Sequence, residues 1–561
     1  MKPAVIKVAA ALAAATAASG AGAVAVPGSQ QRPLTASGFS CSLPPVIDPS
    51  SDGLPSAESL FSSREALERQ VERHQAVVRV PTVSYDDLGP PGEDDRWAPF
   101  FDLHAVLEKL YPNLHKRASL EKVNTLGLVY TILGTDVSLK PTLLAAHQDV
   151  VPVADASTWT HPPFAAVYDG EWIWGRGASD DKNSLTALLS AVEALLSPET
   201  GWTPRRTLIL AFGFDEECSG LRGAASISRH LQSAYGTDSV AVILDEGGTG
   251  LGPVDGDDSG TLYAVPAVME KGHVDVWFDL SVAGGHSSFP FPHTGIGIAA
   301  EIITALEANP WSPAVLDDSP VHRQLQCQAR HSPGADAELT RLVRERDLDG
   351  LARRLAASGR VPQYMVQTSQ AVDTIRGGQK INAMPEAVSL GVNYRVAPQD
   401  SIPRVMRNVV DVIAPVVDRY GLRLRAYEGD ADYDEYRGGD ALPRYDVDYN
   451  GTLVLRAREK TAVTPISPTS GPVWDLFSGA IQHSYATESG APVVPVGIIM
   501  TGNTDTRHYL DLSPNIYRWT PARQGTALNI HTVDERVRMD GHIGMVKFYY
   551  NFVRTFDQAD I

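Results

Sequence analysis

The sequence predicts an α/β fold, a mainly parallel sheet with helices on both faces, interrupted by an inserted α+β lid unit. Three observations carry this. Short apolar runs at Thr142–Ala146, Thr207–Phe214 and Val240–Leu244 are separated by helical patterns. Those runs are apolar throughout, as strands buried on both faces must be. Beyond Glu270 the pattern changes to alternation, at His273–Ala283 and Ala387–Val396, which is the signature of half-exposed antiparallel strands.

In chain order, Lys2 and Lys7 precede a run of Ala, Val and Leu from Val8 to Ala18. Small-residue cleavage sites follow at Ala21-Gly22-Ala23 and Ala23-Val24-Ala25. Residues 1–25 therefore read as a secretory signal peptide, with an uncleaved signal anchor as the rival reading. Residues 26–60 are rich in Pro, Ser and Gly and are expected to be a disordered leader. A helix is expected near Ser63–Val80, where Leu67, Val71 and Val77 stand among charges. It opens the first part of the catalytic domain, residues 61–269. Asn183–Leu196 has helical spacing, with Leu185, Leu188, Leu189, Val192 and Leu195. The inserted unit is assigned residues 270–398, with a helix at Gly295–Ala308 and an irregular polar stretch from Pro310 to Gln363. Residues 399–561 are assigned to the returning catalytic domain, beginning with a helix at Ile402–Tyr420. No internal repeat is evident.

The totals exclude some functions. With 561 residues the chain has room for two or three domains. Lys plus Arg is 48 against 67 Asp plus Glu, a formal charge of -19, which argues against nucleic acid as a partner. The three cysteines, Cys41, Cys218 and Cys327, have no CxxC spacing; they allow one bridge and leave one thiol. Cys218 reads as a small buried filler. Asn450-Gly451-Thr452 is a glycosylation sequon. Gly295-Ile-Gly297-Ile-Ala-Ala fits a dinucleotide fingerprint on paper, but no strand leads into it, so it reads as a helix start and a dinucleotide oxidoreductase is disfavoured.

The chemistry gathers at strand ends. The three apolar runs end in His147-Gln148-Asp149, Asp215-Glu216-Glu217 and Asp245-Glu246-Gly247, and Gly175-Arg-Gly-Ala-Ser-Asp180-Asp181-Lys182 stands directly before a helix. Open α/β sheets bind ligands beyond the C-terminal strand ends, so one crevice receives a histidine and several carboxylates. Singly, each motif is an ordinary loop or helix cap. Together they would repel and shift one another's pKa values unless a cation sits among them. Imidazole and carboxylate without thiolate suits zinc and, less exclusively, cobalt or manganese.

These motifs, with Ile530-His531, Leu244-Asp-Glu-Gly-Gly, Gly285-His286-Ser-Ser and Gly502-Asn-Thr-Asp-Thr-Arg507, resemble the dizinc exopeptidases, the group of aminoacylase and carnosinase-type dipeptidases. The likeness is greatest to fungal carboxypeptidase S and the secreted N-acyl-amino-acid hydrolases, and it covers most of the chain from Ser63. It implies two Zn2+ per chain. His147 would bind one metal and His531 the other, Asp180 would bridge, Glu217 would bind one metal, and Asp245 or Glu246 would supply the remaining carboxylate. Asp149 would orient His147 and Glu216 would be the general base. His286 would stabilise the oxyanion from the inserted unit, a lid and often a dimerisation surface in the group. Arg507, Asn382 and Arg395 would meet the substrate, Arg507 by pairing with its free carboxylate. The expected function is metal-dependent hydrolysis of the amide before a free C-terminal amino acid, on blocked dipeptides or peptides with penultimate glycine, or alternatively on N-acyl amino acids. The expected location is the secretory route: secreted, in the vacuolar lumen, or on the vacuolar membrane if the anchor is retained.

Overall fold

The computed structural model describes residues 41–248, 250–433, 448–487 and 489–561. The signal or anchor at 1–25 and the leader to residue 40 lie outside them.

The larger sheet has eight strands, in the order Ser119–Val123, Gly127–Ile132, Leu208–Gly213, Thr142–His147, Val242–Asp245, Ile516–Arg518, Ala267–Glu270 and Ile498–Met500. Its centre, from Leu208–Gly213 to Ile516–Arg518, is parallel. Alternate residues explain why the central strands read as unbroken apolar runs. Leu144, Ala146, Leu208, Leu210 and Phe212 pack into one core with the helices Lys182–Leu195 and Met539–Gln558. Leu143, Ala145, Ile209 and Ala211 pack on the opposite face against Ala224, Ile227 and Leu231 of the helix Ala224–Tyr235. Both faces are covered, so no position can be polar until the strand ends.

The expected helix near Ser63 runs Arg64–Val78, with the Ser63 side chain accepting from the Ala66 amide. The helix at Gly295–Glu307 is capped by Thr294, and the fingerprint-like glycines are its first turn.

The second sheet is ordered Ser369–Gly377, Ala387–Val396, Gly272–Ser281, Thr452–Thr461, Arg423–Ala426. Its strands alternate, with buried Val274, Val276, Phe278 and Leu280 facing the helices Gly295–Glu307 and Ile402–Arg419. Here the expected boundary at residue 398 is displaced. The helix Ile402–Arg419 and the strands Arg423–Ala426 and Thr452–Thr461 belong to this second sheet and its core, so the chain returns to the larger sheet only after Thr461. Amphipathicity identified the helix but could not say which sheet its apolar face covers.

Two further expectations need correction. The polar stretch from Pro310 to Gln363 is largely helical, at Pro320–His331, Ala337–Glu345, Leu348–Ser358 and Arg360–Met365. Each of the first three opens on a side-chain cap, from Ser319, Asp336 and Asp347. Each buries only a narrow apolar stripe, such as Leu339, Leu342 and Val343, which sparse hydrophobicity concealed. Residues 41–60 are ordered rather than a loose leader. Cys41 is joined to Cys327 by a disulfide, Ile47 donates to the Gly479 carbonyl, and Arg554 holds Asp52 with two guanidinium nitrogens at 2.6 and 2.8 Å. Composition alone misses such tethers because they form with residues hundreds of positions away.

Among the described residues no helix is long and apolar enough to cross a membrane.

Candidate active site

His147, the Glu216–Glu217 turn and Glu246 stand at the ends of central strands, and Asp180 and His531 come from turns beside a separate four-stranded sheet. His147 is the last residue of its strand and only 1% exposed. Its Nδ1 faces the Asp149 backbone carbonyl at 3.1 Å and carboxylate at 3.2 Å, while its Nε2 faces Asp180 at 3.1 Å and Glu246 at 3.3 Å. Asp149 is fully buried and does more than orient this ring. Its oxygens also accept the Ser84 hydroxyl and the amides of Glu216 and Glu217, at 2.7, 3.1 and 3.1 Å. One carboxylate thereby registers the His147 strand end with the glutamate turn.

That turn is a single 3-10 turn, Glu216–Cys218. Asp215 closes it: its backbone carbonyl accepts the Cys218 and Gly220 amides, and its carboxylate accepts those of Arg222 and Gly223. The two glutamates are split by it. Glu217 clusters with His147 and Asp180, and Glu216 with His147 and Glu246, with the potential ligand atoms of each trio within 4.8 Å of one another.

Asp180 lies between two imidazoles. Its Oδ1 is 3.1 Å from His147 Nε2 and its Oδ2 3.1 Å from His531 Nε2, and the latter is 3.0 Å from Glu217. Of the open pair, Glu246 turns into the site. Asp245 joins neither trio; its Oδ1 accepts the Glu246 amide and its backbone carbonyl accepts that of Trp519. Of the two residues left open, Glu246 rather than Asp245 therefore stands with the other candidate ligands. An extended strand end sends successive side chains to opposite sides.

The carboxylates and imidazoles of this cluster act strongly on one another. Burial, with the charge of Asp180, pushes Glu246 up to about 8. Burial also drives Glu216 well above the ordinary carboxylate range, with Glu246 and Asp505 adding to it. Hydrogen bonds to Asp180 and Glu217 push His531 up to about 10. Burial opposes charge on His147, but Glu246, Asp149 and Asp180 override it and raise its pKa. So many carboxylates in one buried space cannot all ionise unless cations replace the protons. Two imidazoles, His147 and His531, and three carboxylates, Asp180, Glu217 and Glu246, with no thiolate and with Glu216 beside them, make a fitting donor set for a pair of divalent cations.

The inserted unit contributes differently. Arg395, on the strand Ala387–Val396, donates to Asn503 Oδ1 at 3.1 Å, and the charges of Asp275, Arg507, Glu270 and Glu216 act on it. Arg507 follows in the turn Asp505–His508, its buried Nε without a hydrogen-bond partner. Two guanidiniums thus stand within electrostatic reach of each other and one of Glu216. His286 and Asn382 are exposed at a two-residue ladder, in which His286 pairs with Ala383, and just beyond it the Asn382 carbonyl accepts the Ser287 amide. His286 Nδ1 is engaged by the Ser288 hydroxyl at 2.7 Å. These two are joined to each other but not to the His147 cluster.

Sequence reasoning missed Glu535 and Asp505. Glu535 is fully buried and binds the loop that carries Asp180. Asp505 is buried against Gly213 and Gly220, where any side-chain carbon would collide with its oxygens. The available signals were positional only: Glu535 lies four residues past His531, and Asp505 two before Arg507.

The model of peptidase family M20/M25/M40 matches residues 143–555. The chain is similar to Carboxypeptidase S of Saccharomyces cerevisiae, 38% identical over 498 residues, covering 86% of this chain and 83% of that protein. It is similar to the N-fatty-acyl-amino acid synthase/hydrolase PM20D1 of Bos taurus, 29% identical over 516 residues and covering 90% of each. Among solved structures, human carnosine dipeptidase 1 shares the fold with a TM-score of 0.60 at 13% identity, covering 90% of this chain and all of that one. With the cluster of His147, Asp180, Glu217, Glu246 and His531 inside a matched span of this length, and with such a relative, the chain belongs to peptidase family M20/M25/M40.

Proposed function

We propose that the protein is a zinc-dependent metallo-exopeptidase of carboxypeptidase S type, hydrolysing the amide before a free C-terminal amino acid. The observation that carries this is Asp180 held at 3.1 Å from both His147 and His531, with Glu216 beside His147. His147 and Glu246 would hold one zinc, His531 and Glu217 the other, and Asp180 both; Co2+ or Mn2+ would substitute. Bound there, the pair supplies Lewis acidity, polarising the amide carbonyl and lowering the pKa of water to about 7.

The chain's own residues do the rest. Glu216 takes the proton of the attacking water and returns it to the leaving nitrogen. Asp149 fixes the His147 ring and, through the two amides it accepts, the backbone from which Glu216 works. Arg507, with Arg395 beside it, receives the substrate's free carboxylate, which relieves the repulsion between two guanidiniums. His286 and Asn382 serve the oxyanion and the substrate from the inserted unit. The favoured substrates are blocked dipeptides or peptides with penultimate glycine. The second reading, N-acyl-amino-acid hydrolysis, uses the same machinery and is supported by the relatives whose names carry that activity.

The disulfide Cys41–Cys327 and the exposed sequon at Asn450 support a secretory-route location, secreted or vacuolar. The strand Ser369–Gly377 ends the second sheet's order, which suits a homodimer through the inserted unit.

The test is cleavage of a blocked glycyl-leucine by the purified protein, before chelation, after it and after zinc is restored. Zinc-restorable cleavage supports the exopeptidase. No cleavage with two zincs bound per chain moves the assignment to acyl-amino-acid hydrolysis. No cleavage and no bound metal overturns both.

A further inference from the structure

Glu535 spends all its hydrogen-bonding capacity on one short loop. Its Oε2 accepts Arg176 Nη1 at 2.6 Å and the Gly177 amide at 3.0 Å; its Oε1 accepts the amides of Ser179 and Asp180 at 2.8 and 3.1 Å. Its backbone carbonyl takes the Gly175 amide at 2.9 Å, and the Ser179 hydroxyl donates to the next carbonyl, Arg536, at the same distance. The side chain is 1% exposed, and Arg176, the single formal charge paired with it, is 4% exposed. A core ion pair made only for stability needs one partner in good geometry. This carboxylate has four donors, three of them consecutive or near-consecutive backbone amides ending on the residue that lies between His147 and His531.

The chain positions at either end of the clamp matter. Glu535 follows His531 by four residues, and the loop it holds ends at Asp180. One buried carboxylate therefore locks together the two segments that deliver Asp180 and His531, which face each other at 3.1 Å. Gly177 is part of the same construction: its φ is +79°, and a Cβ there would lie 2.4 Å from Val150. The loop thus brings the amides of Gly177, Ser179 and Asp180 to Glu535, while those of Arg176 and Ala178 go to the Pro163 and Gly175 carbonyls.

We propose that Glu535 is a positioning residue for the metal centre, setting the distance between Asp180 and His531 by clamping the loop from Arg176 to Asp180. It touches neither metal nor substrate. The inference rests on the metal reading above, and extends it to a residue outside the ligand set.

Glu535→Gln is the direct test. An amide side chain keeps one accepting oxygen and turns an NH2 group toward amides that also donate. Because that change leaves the Arg176 charge buried and unpaired, the double variant Arg176→Met with Glu535→Gln is measured beside it. The expected result in either variant, at a temperature where circular dichroism shows it folded, is a 10–100-fold loss of zinc affinity, read by competition with a chromogenic chelator. Activity should fall at low zinc and recover as zinc is raised, which a folding defect would not show. Unchanged zinc affinity in the folded variants overturns the proposal. Amide exchange in metal-free protein gives a second arm that does not depend on zinc. Faster exchange at Gly177, Ser179 and Asp180 supports the clamp, and unchanged exchange there overturns it. If wild type takes up no zinc, the metal reading falls and the exchange arm alone decides whether Glu535 sets this loop.

Discussion

The two sheets build chemistry in opposite ways. In the larger sheet the strands are buried along their whole length, and the reactive groups appear where the backbone stops being able to hide: His147, Glu246 and the glutamate turn. His147 and the turn are braced by a second buried group, Asp149, and the Asp180 loop beside them by another, Glu535. In the second sheet the strands alternate, and the candidate residues His286 and Asn382 of the same inserted unit stand exposed at a separate two-stranded ladder only two residues long. The difference teaches that a site for cations has to be rigid before the ligand arrives, because like charges must be held together. Of the groups that would meet only the substrate, His286 and Asn382 wait at the surface, while the Arg507 Nε is buried.

Substitutions on each side sharpen or break that division. The largest effect belongs to the braced region. Asp180→Ala is expected to lose both metals and all measurable turnover, as read by metal content after gel filtration; two metals retained per chain would remove Asp180 from between them. Glu216→Ala should keep the metals and the fold and lower kcat by about 10²–10⁴-fold, the range of general acid–base catalysis. Near-normal turnover would end its role as the base. His286→Ala, from the exposed ladder, is expected to cut kcat by about 10²–10³ with metal content intact. If it lost metal instead, the separation between the two regions would not hold.

How much of this could be read from sequence follows the same division. The central strands and their terminal motifs were legible because burial on both faces enforces apolar runs, and chemistry can begin only where they end. Which of Asp245 and Glu246 enters the site was not legible, since it depends on one side-chain alternation at a strand terminus. Glu535 was invisible because a carboxylate with four donors looks, in sequence, like any surface glutamate between Asp534 and Arg536. The helices between Pro320 and Met365 were missed because each buries a narrow stripe, and the placement of Ile402–Arg419 because amphipathicity does not name a partner.

A smaller effect is expected at the arginine pair. Losing a charged hydrogen bond to the substrate carboxylate costs about 1.5–3 kcal/mol. Arg507→Ala should therefore raise KM by roughly 10–150-fold while the pH dependence of kcat stays that of wild type. An unchanged KM for substrates with a free carboxylate, but a raised one for their esters, would reverse the assignment.

The smallest effect is one of stability, and it again separates the two regions. Behind the Asp180 loop the rings of His74 and His542 stack at 5.1 Å, both buried, with His74 held by Thr186 and the Ala178 carbonyl and His542 by Asn183. Burial lowers both, His74 to about 4 from the ordinary 6.5 and His542 well below it; the charge of Lys182 adds to the first, and those of His74 and Arg73 to the second. The second sheet's His273 is instead paired with Asp275. An imidazole whose folded-state pKa is lowered leaves the unfolded chain to bind protons first, so its contribution is complete above pH 6.5 and is lost as pH falls below it. The loss is about 1.4 kcal/mol per pH unit for one such group. Other buried groups oppose it: Asp215 and Asp245, pushed up to about 6 by burial, favour the folded state in acid. Comparing wild type with His542→Gln cancels those, because the glutamine amide keeps a donor for Asn183 and does not titrate. Denaturant unfolding from pH 7.5 to 5 should therefore show the stability of wild type relative to the variant falling steadily below pH 6.5. Parallel profiles would mean that His542 takes up no fewer protons folded than unfolded, and that the buried stack is not the acid-sensitive part of the metal-bearing region.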